Sequence, residues 1–116
     1  MSSISNPTEA SIHKRILAKL NALPHCYAHK VHGGPYGGGQ PDIDGAIVGL
    51  PLKIEVKRPG GKATELQQQV LDRWERAGAL AFVAHSWEEV ERALVIAAQF
   101  SDDLHDELAD AGWTLP

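Results

Sequence analysis

The sequence predicts an α/β fold, and three patterns carry that reading. Ile12, Ile16, Leu17, Leu20 and Leu23 recur at steps of three and four, the spacing of one face of a helix. Ile43, Ala46, Ile47 and Val48, then Leu52, Ile54 and Val56, flank Gly49-Leu50-Pro51 as two strands flank a tight connection. Two capping-box signatures, Thr64-Glu65-Leu66-Gln67 and Ser86-Trp87-Glu88-Glu89, each open a further apolar helical stripe.

In chain order, Pro7 and Thr8 start the first helix and Pro24 ends it. Residues 27–32 alternate loosely. Residues 33–40 hold five glycines in eight positions, which predicts a mobile loop. The hairpin follows, and Pro59-Gly60-Gly61 breaks its second strand. The next helix carries Leu66, Val70, Leu71 and Trp74 on its apolar stripe and stops at Gly78; residues 79–84 are wholly apolar and suit a buried strand. A helix bearing Val90, Leu94, Val95 and Ala98 comes next, then a weaker amphipathic segment over residues 101–111. The expected order is α, β-hairpin, α, β, α, α.

At 116 residues the chain fits a single domain, with a core over about 9–98 and a helical segment over 99–116. Apolar residues make up 43% and charged residues 22%, which excludes a disordered or fibrous chain. The longest apolar run, residues 77–84, is far short of the ~20 residues that cross a bilayer, and residues 1–13 lack a signal pattern. A cytoplasmic location without membrane contact is expected. The lone Cys26 excludes an intrachain disulfide. The net charge of −4 hides an asymmetry: residues 1–62 carry eight Lys/Arg against four Asp/Glu, and residues 63–116 carry three against eleven. A phosphate-facing front with an acidic back produces such a split, and so does a solvated acidic tail.

The chemistry-bearing stretch is Pro41-Asp42 followed by Ile54-Glu55-Val56-Lys57. Strand side chains alternate, so Glu55 and Lys57 share one face while Ile54 and Val56 take the other. A hairpin turning near Gly49-Leu50 sets position 42 roughly across from 57, gathering Asp42, Glu55 and Lys57 on one patch. Two carboxylates a few Å apart repel, and a shared proton or a divalent cation relieves them. Mg²⁺ is the natural counter-charge, since it takes one or two carboxylates, binds phosphate oxygens and lowers the pKa of its water. Lys57 would then orient that water and offset charge growing at phosphorus. The plain alternative is a surface salt bridge between Glu55 and Lys57.

These motifs resemble the PD-(D/E)xK nuclease superfamily. The Gly-rich loop, Pro41-Asp42-Ile43, Ile54-Glu55-Val56-Lys57-Arg58-Pro59-Gly60-Gly61-Lys62, Thr64-x-x-Gln67 and Gly78 resemble its virus-type replication-repair nuclease (VRR-NUC) family, over roughly residues 9–94. The resemblance implies a restriction-endonuclease-like mixed sheet flanked by helices, and DNA cleavage with Mg²⁺ or Mn²⁺. It implies metal binding by Asp42 and Glu55 with the Val56 carbonyl, Lys57 assisting the water, Gln67 supporting the site and Glu9 contributing from the first helix. Gln67 also stands at N3 of a capping box, with Gln68 and Gln69 as alternative alignments. Glu9 in a first helical turn equally serves the helix dipole. Asp44 shares the face of Asp42 but reads as solvated. Stand-alone members act as homodimers on four-way DNA junctions, which implies a branched DNA partner here.

Lys30, His32, Lys53, Arg58 and Lys62 are candidate phosphate contacts. The Gly-rich loop lacks the G-K-[ST] ending of a P-loop, so no nucleotide cofactor is expected. His25, Cys26, His29 and His32 match no familiar zinc spacing. Trp74, Trp87 and Trp113 read as core or interface, and Leu104, Leu108 and Trp113 make the C-terminal segment a candidate dimer element. A non-catalytic DNA-binding module and a sequence-specific restriction enzyme are the competing functions.

Overall fold

The computed structural model describes residues 7–31 and 38–116. His32 and most of the Gly-rich loop lie outside them. Helix α1 (Glu9–Asn21) begins where Thr8 accepts the Ser11 N–H at 3.1 Å. Strand β1 (Cys26–Lys30) follows, then the hairpin of β2 (Ile43–Ile47) and β3 (Leu50–Val56). Helix α2 (Glu65–Arg76) has a complete capping box and ends before Gly78, whose φ of 102° favours glycine. Strand β4 (Leu80–Ala84), helix α3 (Trp87–Ala98) and helix α4 (Asp102–Asp110) complete the order. Ser86 caps α3, but its Glu89 reaches past the cap to the backbone N–H of His85 at 2.9 Å, so the second capping box is only half made.

The sheet order is β1-β2-β3-β4, with antiparallel pairs from β1 to β3 and a parallel β3–β4 pair. Parallel neighbours need a crossover, and α2 supplies it. Strand β1 is an addition to the expected element order: only one of its five residues, Ala28, is buried, so its apolar signal is weak. Its place is held by Gly45, where a Cβ would lie 2.2 Å from the Tyr27 carbonyl oxygen.

The hairpin turns one residue earlier than expected. Val48 (φ 46°) and Gly49 (φ 85°) form a two-residue turn with both φ positive, although a β-branched residue is costly there. Ile43 consequently pairs with Ile54, and the same register sets Asp42 across from Glu55, not from Lys57.

Ile43, Ile47, Leu52, Ile54 and Val56 form one face of the sheet and are fully buried against Ile12, Ile16 and Leu20 of α1, Val90 and Leu94 of α3, and Leu104 and Leu108 of α4. Burying each such side chain contributes about 1.5–3 kcal/mol. The expectation that Leu104 and Leu108 face a partner is thereby corrected: both complete the chain's own core. Trp113 meets the buried Trp87 edge to face at 5.8 Å. Glu107 of α4, itself buried, accepts the His25 N–H at 2.7 Å and contacts its Nδ1 at 2.8 Å, fastening α4 to the turn before β1. Helix α2 covers the opposite face of β3 and β4. Among the described residues no helix is long and apolar enough to cross a membrane.

Candidate active site

The alternation of β3 sends Lys53, Glu55 and Lys57 to the face covered by α2, and the hairpin register brings Asp44 and Asp42 alongside. Asp42 is fixed by its Oδ2, which accepts the Val56 N–H at 2.9 Å. Glu55 is only 2% exposed. Its Oε2 accepts a hydrogen bond from Gln67 Nε2 at 3.2 Å and lies 3.6 Å from Lys57 Nζ, while its Oε1 is buried without a hydrogen-bond partner. Burial first, then the neighbouring Asp42 carboxylate, pushes the Glu55 carboxyl up to about 8 against the opposing pull of Lys57. The pair lacks positive charge in the amount its burial requires.

Gln67 serves both roles that competed in the sequence. Its Oε1 accepts the Thr64 N–H at 2.9 Å, closing the capping box, and its Nε2 points the other way to Glu55. The first turn of α2 is therefore tied to the carboxylate cluster through one amide.

The side chains suit a hard divalent ion. Asp42 and Glu55 supply opposed oxygens, one of them unpartnered, and an ion of the Mg²⁺ kind uses one or two carboxylates and completes its shell with waters. No three His, Cys, Asp or Glu side chains are grouped to hold a metal ion among the described residues, so a closed structural site of the zinc type is not built here. Glu9 is exposed in the first turn of α1, and what it gives to its surroundings is its backbone carbonyl, 2.7 Å from His13 Nδ1. His13 itself went unsuspected in the sequence. It is buried, and its Nε2 lies 3.6 Å from Asp42 Oδ2. The available signal was its place beside Ile12 on the buried stripe, where a polar ring needs a reason.

The expected phosphate contacts divide. Lys30, Arg58 and Lys62 are exposed and form no ion pair among the described residues. Lys53 is 13% exposed, paired with Asp44, and seated over the Trp74 ring at 3.9 Å. It is held within the fold, and Asp44, expected to be solvated, is its partner. The His25 and His29 rings face Glu107 and Asp44 respectively, and burial first, then Glu107, raises the Cys26 thiol to about 11.

This is the fold of a nuclease-type domain. No family model and no curated protein matches the sequence. A solved structure described as "VRR_NUC domain" superposes on the chain with a TM-score of 0.61 at 26% identity, covering 72% of this chain and 90% of that one. Among the described residues the chain has the VRR-NUC fold, a mixed sheet of four strands flanked by four helices.

Proposed function

We propose that this domain hydrolyses phosphodiester bonds in DNA with Mg²⁺ or Mn²⁺, acting as a homodimer on branched DNA. The observation that carries the reading is the buried Glu55 with an unpartnered Oε1, flanked by Asp42, Lys57 and Gln67. Asp42, Glu55 and the Val56 carbonyl would hold the ion, which when bound draws in a phosphate oxygen and acidifies a water. Gln67 fixes Glu55 Oε2 and leaves Oε1 free to face the ion. The Lys57 ammonium, beside Glu55, orients the attacking water and offsets negative charge developing at phosphorus. The exposed Lys30, Arg58 and Lys62 suit contacts to the DNA backbone.

Branch selectivity rests on the resemblance to stand-alone VRR-NUC domains and on symmetry, since a two-fold pair presents two sites to opposed strands. The test incubates the protein with a labelled four-way junction and its matched linear duplex in Mg²⁺, Mn²⁺ or EDTA, beside Lys57→Ala. Junction-selective cutting that needs metal and vanishes in the variant is expected. Equal cutting of both substrates removes branch selectivity, discrete fragments from linear DNA point to a restriction-type enzyme, and binding without any metal-dependent cutting points to a non-catalytic module. Light scattering of the same sample reads the mass, and a monomer discards the dimer.

A further inference from the structure

We propose that His13 Nε2 is a further, nitrogen ligand of the divalent ion and that it biases the site toward Mn²⁺ over Mg²⁺. The inference rests on the reading of Asp42 and Glu55 as a cation-binding pair.

His13 lies one turn into α1 and is 6% exposed. Its Nδ1 is 2.7 Å from the Glu9 carbonyl oxygen. A carbonyl only accepts, so Nδ1 carries the hydrogen and Nε2 is the nitrogen left to face Asp42. That Nε2 is buried, has no hydrogen-bond partner among the described residues, and lies 3.6 Å from Asp42 Oδ2. A lone pair facing a carboxylate is repulsive, and a proton on Nε2 would still leave the contact longer than a hydrogen bond.

A cation between the two removes the conflict. Donors at about 2.1 Å from one ion stand about 3 to 3.5 Å from each other, close to the separation found here. The other ring nitrogen follows the usual pattern of a metal-ligating histidine, whose remote N–H is anchored on a backbone carbonyl. Among the described residues, the other buried side-chain nitrogen or oxygen without a hydrogen-bond partner is Glu55 Oε1, and Glu55 also neighbours Asp42. The three side chains are not grouped around one point in the structure, so the ion must draw them together. In this arrangement α1 contributes through His13, while Glu9 acts through its carbonyl as the anchor of the ring.

The donor type sets the preference. Mg²⁺ favours oxygen donors and gains little from imidazole, whereas later first-row ions, beginning with Mn²⁺, bind nitrogen progressively better.

The test uses the full chain with Mn²⁺ as the paramagnetic probe. Pulsed electron paramagnetic resonance of the bound ion should show ¹⁴N modulation from one directly coordinated imidazole, and His13→Gln should abolish it. The same variant should raise the Mn²⁺ Kd about tenfold or more while changing the Mg²⁺ Kd, measured by competition, about threefold at most. His13→Glu, which supplies an oxygen donor, should bind Mg²⁺ at least as tightly as the unaltered protein, without the nitrogen signal. Bound Mn²⁺ in the unaltered protein without ¹⁴N modulation, or modulation that survives His13→Gln, overturns the role of His13 even if a variant folds poorly. Failure of Mn²⁺ to bind at all, or binding unaffected by Glu55→Ala, instead overturns the carboxylate reading, and the proposal with it.

Discussion

The two faces of the β2–β3 hairpin are built from alternating residues of the same strands, yet they obey opposite rules. One face, Ile43, Ile47, Leu52, Ile54 and Val56, is fully buried under α1, α3 and α4. The other carries Asp42, Asp44, Lys53, Glu55 and Lys57, with α2 above part of it. On the second face Lys53 and Asp44 satisfy each other, whereas Asp42 and Glu55 oppose each other with one carboxylate oxygen unmatched. The apolar face supplies the rigidity that holds such an unfavourable arrangement in place. Sites of this kind trade stability for chemistry.

The sharpest way to separate the faces is Glu55→Ala. Cleavage should fall by about 10²–10³-fold or more, as for loss of a group that acts on the transition state, while the thermal midpoint holds or rises. Rates on a junction substrate beside a melting curve check both halves. On the apolar face, Leu104→Ala should lower unfolding stability by about 2–5 kcal/mol in a urea titration. If Leu104 instead faced a partner, the loss would depend on protein concentration.

Two lysines bring the comparison to the rim. Lys53→Ala removes an ion pair and a cation–π contact and should cost about 1 kcal/mol of stability with little change in DNA affinity. Lys62→Ala should leave stability alone and reduce the salt-dependence slope of DNA binding by about one. Binding isotherms at several salt concentrations distinguish them.

The smallest expected effect is a pH dependence at the loop after β3. His85 contacts Glu89 Oε1 at 2.9 Å and the Gly61 carbonyl at 2.7 Å, and these acceptors, Glu89 first, raise its pKa despite partial burial. A raised folded-state pKa means that its stabilisation is complete below the unfolded value, about 6.5, and is lost as pH rises through the folded one. For Glu89, burial pulls the pKa up but the bonds from His85 outweigh it, so the net is down and that contribution is lost as pH falls through its folded value. Stability should therefore be greatest between the two and decline by about 1 kcal/mol or less on the alkaline side. Unfolding midpoints of the protein and of His85→Gln across that range check it, since the variant should lose the alkaline decline.

Much of this was legible in the sequence because it depended on local rules. The alternation at residues 54–57 and the Thr64–Gln67 box specify which side chains share a face and where α2 starts. What escaped depended on long-range fit. Val48 reads as a strand residue, and only the structure shows it in the turn with positive φ, which moved Asp42 from Lys57 to Glu55. Strand β1 is mostly exposed and is recognisable by its partner, through Gly45 against Tyr27. His13 is inconspicuous until Asp42 arrives from residues far along the chain. Helix α4 follows the last expected core element, and its leucines give no sign of which surface they meet.

Gln67 joins the two regions in a way that bears on motion. Its amide closes the first turn of α2 with one end and steadies the Glu55 carboxylate with the other. Helix ends fray far more often than whole domains unfold. Each time that turn opens, Glu55 loses its brace, so hydrogen exchange at the Gln67 amide, which donates to the Thr64 hydroxyl, would clock how long the carboxylate keeps its aim.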